Sequence, residues 1–349
     1  MPKATLVVVI VALLGASCSR TPLNPKAVLH QHRGAQMLAV DRLDEAEAEF
    51  TLALEYNPSY ADAQNGLGLI AFRRGDLGGA VDHFRKALIH NEDHAEAHSN
   101  YGVVLLAWED YPEAERCFRN ALAVDPGFTY SRYNLAFVLL RTGQLEEAHA
   151  ELRTVVALAP RLAEARAELG CLLVHLGRRA AAGRELRQAL ALDPELGAAH
   201  RCTAQLLREG GELAGAEKEL RLALRHDPGD ANALFQLAVT MTLGNRSGEA
   251  EKELRVLLTR NPRFAEAHFA LGYVLARKGS AKEAEQHLRS AVTLKPGYPE
   301  AQLELGDLLA RRGKEQEARG HYRLFLKRVP MELLGQRRRV VEWVKRHEP

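Results

Sequence analysis

Large aromatic rings are scarce in this chain, with Trp 2, Tyr 9 and Phe 10 among 349 residues. Ala and Leu recur throughout instead, a composition that disfavours a sheet-rich fold and favours helices packed closely through small side chains. Cysteine is as sparse. Cys18, Cys117, Cys171 and Cys202 form no CxxC pair, which excludes a disulfide-stapled scaffold and a Cys-rich zinc module. Charge of one sign is missing too: 47 Lys+Arg face 45 Asp+Glu for a formal net charge of +2, so nothing supports non-specific nucleic-acid binding. No GxxxxGK[ST], HExxH or GxSxG motif occurs, and the chain reads as non-enzymatic, with no cofactor, metal or small-molecule substrate expected.

The N-terminus has the order of a secretory signal. Lys3 precedes the apolar run from Leu6 to Leu14, and Gly15, Ala16 and Ser17 lead into Cys18; the run is too short for a comfortable membrane span. The stretch ending at Cys18 resembles the lipobox of bacterial lipoproteins, with Gly15 where Leu is usual. The resemblance implies a signal peptide over residues 1–17, lipidation of Cys18 and a short tether over residues 18–26. The alternative is ordinary cleavage after Ser17, leaving a soluble periplasmic or secreted protein. The tether from Ser19 to Lys26 reaches at most about 29 Å.

One period organises the rest. Stepping by 34 from Pro58 meets Glu92, Pro126, Pro160, Pro194, Pro228, Pro262, Pro296 and Pro330. Nine units follow, beginning at Ala27, Ala61, Ala95, Thr129, Ala163, Gly197, Ala231, Ala265 and Pro299. Position 20 of each unit is Ala, from Ala46 to Ala318, and position 8 holds only Gly or Ala. Position 24 is always large: Phe50, Phe84, Phe118, Leu152, Leu186, Leu220, Leu254, Leu288 and Tyr322. Helical spacing within each unit predicts two antiparallel helices that touch at positions 8 and 20, with position 24 filling the space beside them. Gly at position 15 ends the first helix and Pro at position 32 ends the second.

Position by position, these columns resemble the tetratricopeptide repeat family, W-x2-L-G-x2-Y, then A-x3-F, then P. The resemblance covers residues 27–332 and implies an all-α fold, a right-handed superhelical solenoid of nine helix pairs, with residues 333–349 as a capping helix and basic tail. Position 4, often Trp in the family, is here His30, Gln64, His98, Arg132, Arg166, His200, Leu234, His268 and Gln302, which predicts looser or partly exposed packing there.

The resemblance further implies that the first helices line a concave groove for a protein or peptide ligand. The columns facing it carry Tyr130, Tyr133, Phe137 and Arg141 in repeat 4, Phe235 in repeat 7, and Phe269, Tyr273 and Arg277 in repeat 8. Aromatic and Arg side chains are common anchors of binding surfaces, so these are the candidate contact residues; the competing reading is shape filling between neighbouring helices. Cys171 and Cys202 fall on neighbouring first helices and are candidates for a disulfide, against the simpler reading of two small packing residues. Gly66 and Gly68 mimic a dinucleotide fingerprint, but the repeat column accounts for Gly68. His90, Asp93, His94 and His98 read as solvated residues rather than metal ligands. Arg337, Arg338, Arg339, Lys345 and Arg346 read as a solvated face, with an anionic membrane or acidic partner as the alternative. Asn100 and Asn134 match the central Asn of cochaperone carboxylate clamps, but their neighbours do not. The function implied is a lipid-anchored periplasmic scaffold, outer membrane favoured, that assists an envelope machine such as a type IV pilus or secretin. The alternative is a subunit that recruits a glycosyltransferase, peptidoglycan hydrolase or protease.

Overall fold

A computed structural model of the chain describes residues 24–347, in two units divided after Leu176. The first holds α1 (Pro25–Ala39), α2 (Leu43–Tyr56), α3 (Ala61–Arg73), α4 (Leu77–His90), α5 (Ala95–Ala107), α6 (Tyr111–Val124), α7 (Thr129–Thr142), α8 (Leu145–Leu158) and α9 (Ala163–His175). The second holds α10 (Arg179–Leu192), α11 (Gly197–Glu209), α12 (Leu213–His226), α13 (Ala231–Leu243), α14 (Ser247–Arg260), α15 (Ala265–Arg277), α16 (Ala281–Leu294), α17 (Pro299–Arg311), α18 (Glu315–Leu326), a 3-10 turn (Met331–Leu333) and α19 (Leu334–Arg346). Among the described residues there is no strand, and no helix is long and apolar enough to cross a membrane. Within each unit successive helices pack as pairs, α1 on α2 through α7 on α8 and α11 on α12 through α17 on α18, and each pair packs on the next. The fold is a solenoid of helix pairs, and α19 packs on α18.

The size columns are the reason the pairs close. Every position-20 Ala, from Ala46 to Ala318, has 0% of its surface exposed. A Cβ added at Gly34 would lie 2.8 Å from Phe50 Cδ1, and one at Gly68 would lie 2.5 Å from Phe84 Cε1. The same holds for Gly102 against Phe118 and Gly306 against Tyr322. An aromatic ring at position 24 therefore demands glycine at position 8, while repeats with Leu152, Leu220 and Leu254 carry Ala136, Ala204 and Ala238 there. Gly66 has a similar cause, since its added Cβ would meet Phe50 Cζ at 2.4 Å. Two Phe rings thus explain the glycines that imitate a nucleotide loop.

The turns follow a fixed geometry. Position 15 is left-handed in every repeat: six glycines from Gly75 to Gly313 have φ between 71° and 85°, and Asp41, Glu109 and Asn245 adopt 59° to 60°. Residues at position 31 build Asx turns, with Asp125 Oδ1 accepting from Gly127 N at 2.9 Å and Asp193 and Asp227 doing the same two residues on.

Position 4 is partly exposed in most repeats, as expected, but it is not loosely held. Except at Leu234 its side chain is polar, and in repeats 4, 6, 8 and 9 it ties the second helix of its own repeat to the turn that precedes the repeat. Arg132 donates to Glu151 and, through Nη2, to the Pro126 carbonyl at 2.7 Å. His200 bonds Glu219 at 2.7 Å and the Pro194 carbonyl at 2.9 Å. Gln302 donates to the Pro296 carbonyl at 3.0 Å and accepts from His321 at 2.7 Å. His268 reaches the Pro262 carbonyl at 3.1 Å, and its Nδ1 lies 2.9 Å from Nδ1 of His287. Tryptophan is dispensable at position 4 because these side chains pair polar groups that would otherwise be left open.

Replacing Arg132 with Ala leaves the Glu151 carboxylate and the Pro126 carbonyl without their partner. A loss of about 1–3 kcal/mol in urea unfolding is expected. The double variant Arg132→Ala/Glu151→Ala should recover part of it; additive losses would show that the strap carries no coupling.

Candidate functional site

In the first unit the candidates come from α7, where Tyr133, Phe137 and Arg141 recur every four residues and so share one face. Arg141 sits 5.3 Å from the ring centroid of Tyr111, which opens α6, and 6.0 Å from that of Phe137, a cation–π sandwich. Tyr130 is exposed, while Tyr133 and Phe137 are half-buried. Burial, together with Glu168 and Glu164 on α9, pushes the Tyr133 phenol up and keeps it protonated. These rings are neither core nor fully free: packing holds their rotamers while an edge stays open to solvent.

The second unit carries the other cluster. Phe269 on α15 stands 6.3 Å from Tyr273 and 5.1 Å from Tyr298, which precedes α17. Arg277 Nη1 donates to the Tyr273 hydroxyl at 3.1 Å, with its guanidinium 5.7 Å from that ring. The ring contact of Phe235 is with Phe264, at 5.5 Å. Beyond Tyr273 opens a cavity of about 620 Å³ lined by Tyr273, Arg277, Glu304, Asp307, Arg311, Tyr322, Arg339 and Trp343, among others. Tyr111, Tyr298, Asp307 and Trp343 were not among the sequence candidates, and Arg339, read there as part of a solvated basic face, instead grips Asp307. Tyr111 opens α6 and Tyr298 precedes α17, both outside the groove columns, and Arg339 and Trp343 enter only because α19 docks on α18.

The first unit has a buried polar floor. Asn65, Asn100 and Asn134 are all buried, and Asn100 Nδ2 donates to Asn65 Oδ1 at 3.0 Å. His94, read from the sequence as solvated, is 5% exposed. Its Nε2 lies 3.0 Å from Asp62 Oδ1 and its Nδ1 3.1 Å from Glu96 Oε2. Burial opposes its charge, but hydrogen bonds with the two carboxylates outweigh that and push its pKa up to about 9. The physical reason is its place at position 34, which is buried in the neighbouring repeats as well, at Tyr60 and Phe128, and which here faces Asp62 at the start of the same 34-residue unit. Cys117 on α6 is buried as core, its thiol pushed up to about 12 by burial. Cys171 lies on α9 of the first unit and Cys202 on α11 of the second. The expected signal peptide over residues 1–17, Cys18 and the tether as far as residue 23 lie outside the described residues, as do the last two residues of the chain.

A tetratricopeptide repeat profile matches residues 38–96, 167–231 and 244–299, and a second matches residues 105–169. The chain belongs to the tetratricopeptide repeat family. No curated protein matches it. Among solved structures, that reported for the functional characterization of Pseudomonas aeruginosa pilF is similar at 20% identity and TM-score 0.55, covering 60% of this chain and 95% of that one. A tetratricopeptide repeat protein from Parabacteroides merdae matches at 17% identity and TM-score 0.61, over 73% of this chain and 100% of its own. The human IFIT1 dimer with PPP-AAAA matches at 18% identity and TM-score 0.62, over 92% and 81%. These likenesses show the fold, which is a scaffold for protein–protein interaction.

The His94 pair makes a signed pH prediction. Its folded pKa, about 9, lies above the unfolded value, so its contribution is full below about pH 6.5 and is lost as pH rises through 9. His94→Ala should therefore cost more stability at about pH 6 than at about pH 9.5; an equal cost at both would contradict the paired, charged state.

Proposed function

We propose that this chain is a lipid-anchored scaffold of a bacterial cell envelope, held at Cys18 and facing the periplasm, that assists assembly of a machine such as a type IV pilus or secretin. The observation that carries the reading is the aromatic and arginine surface on the first helices of both units. Tyr133, Phe137 and Arg141 form one cluster, and Phe269, Tyr273 and Arg277 the other. A half-buried ring held by packing, with a guanidinium across its face, loses little entropy when a partner covers it. The order of the N-terminal segment supports the envelope location, and the fold shared with Pseudomonas aeruginosa pilF supports the choice of machine. The working ligand is a protein or peptide. The near balance of charge, +2 overall, supplies no steering field for a polyanion, although a structural neighbour is the IFIT1 dimer with PPP-AAAA.

The test is crosslinking in the native host followed by mass spectrometry, comparing wild type with Tyr133→Ala/Phe137→Ala/Phe269→Ala/Tyr273→Ala. A pilus or secretin component captured by wild type and lost from the variant is the expected result. Capture of a peptidoglycan hydrolase, glycosyltransferase or protease instead would favour a recruiting subunit. Identical sets from both proteins would show that the rings are packing only.

A further inference from the structure

The cavity at the C-terminal end of the second unit has a charge pattern that the aromatic columns do not explain. Its floor is open because position 12 is small in both repeats that form it, Ala276 and Ala310. Its walls are Tyr273 on one side and Tyr322 with Trp343 on the other, the last two rings meeting edge-on at 4.8 Å. At about 620 Å³ it is large enough to take side chains of a bound segment.

Three guanidiniums and two carboxyls line it, and they are not evenly matched. Asp307 is fully engaged: Arg339 grips it with Nη1 at 2.9 Å and Nη2 at 2.7 Å, and the Tyr322 hydroxyl donates to Oδ1 at 2.5 Å. Arg277 donates to the Tyr273 hydroxyl at 3.1 Å, and Arg311 Nε donates to the backbone carbonyl of Asp307 at 3.2 Å. Neither meets a carboxylate among the described residues. Two guanidiniums are thus positioned beside a cavity with most of their donors unspent, a geometry suited to bidentate carboxylate recognition.

We propose that this cavity receives the carboxylate side chains of an acidic peptide segment, with Arg277 and Arg311 as the receptors and Tyr273 and Trp343 as apolar walls for the residues between. The inference rests on the peptide groove proposed above and names the chemistry of its occupant. A phosphate backbone fits less well. It brings charge at every residue, whereas Glu304 and Asp307 occupy the same cavity, and Phe269, Tyr273 and Tyr298 continue the site as an apolar strip.

Glu304 gives the site a pH dependence. It faces Asp307 and Arg311 on its own helix, Arg277 on α15 and Arg339 on α19. Burial, then the nearby Asp307, raises its carboxyl above the usual carboxylate range, with the three guanidiniums opposing. An incoming carboxylate favours the protonated form of Glu304, so binding takes up a proton and strengthens as pH falls.

The experiment is fluorescence anisotropy on the full chain. The probes are a fluorescein-labelled peptide of alternating Glu and Phe, its counterpart with Lys for Glu, and a 5′-triphosphorylated tetra-adenylate RNA. The acidic peptide is expected to bind in preference to both others. Arg277→Ala/Arg311→Ala should weaken it at least about tenfold, and Glu304→Gln should tighten it and flatten the gain seen between about pH 7 and about pH 5. Arg277→Lys/Arg311→Lys, which keeps the charge but not the fork, should fall between wild type and the Ala variant. Equal binding of the Lys peptide, or no effect of the Arg variants, overturns the anion site while leaving a peptide groove in place. RNA binding that excels over the acidic peptide overturns it in favour of nucleic acid. Absence of binding by both peptides also overturns it, and the groove is then judged by the crosslinking comparison alone.

Discussion

How closely two helices approach within each repeat depends on one contact, the large residue at position 24 against the small residue at position 8. Where the large residue is Phe50, Phe84, Phe118 or Tyr322 the small one is glycine, because an added Cβ would stand 2.5–2.8 Å from the ring. Where it is Leu152, Leu220 or Leu254 the small one is alanine, while Leu186 and Leu288 face Gly170 and Gly272, so leucine takes either. The neighbouring Ala at position 20 is wholly enclosed in all repeats. Close-packed interiors tolerate little change in volume, so this match sets the spacing of each pair and the position of the next. First helices held side by side in this way carry positions 5, 9 and 13 on one face, where the aromatic and arginine clusters lie.

Around that apolar contact the chain runs a second, polar set of ties. Position 4 joins position 23 of the same repeat and the carbonyl before the repeat, using Arg132 with Glu151, His200 with Glu219, or Gln302 with His321. The same slot thus takes four pairings, counting His268 with His287. His83 and His321, against glutamines, are held below the ordinary imidazole range by burial. His287 shares one proton's worth of hydrogen bond with His268 and is lowered by burial and by that neighbour.

Much of this was legible in the sequence because a repeat supplies its own controls. Helix limits, the left-handed turn and the position 8, 20 and 24 contacts all appear as columns, and Asp41, Glu109 and Asn245 keep the turn that glycine makes elsewhere. Reading columns singly hid the straps, since their signal is a correlation between positions 19 residues apart, as in Arg132 and Glu151. The burial of His94 was hidden because its partner Asp62 stands at the opposite end of the same unit, far outside local helical spacing. The aromatic candidates were found where the spacing put them. The cavity beside Tyr273 was not, because two of its lining residues, Arg339 and Trp343, come from α19, outside the period.

The most direct test of the packing rule is a double-mutant cycle on Gly68 and Phe84, read by urea unfolding. The account predicts that Gly68→Ala alone costs about 2–3 kcal/mol, since its Cβ would lie 2.5 Å from Phe84 Cε1. In a Phe84→Leu background, which recreates the Ala136 and Leu152 pairing of repeat 4, the same substitution should cost less than about 1 kcal/mol. Equal costs in the two backgrounds would mean that positions 8 and 24 do not set each other's size, and the account would fail at its foundation.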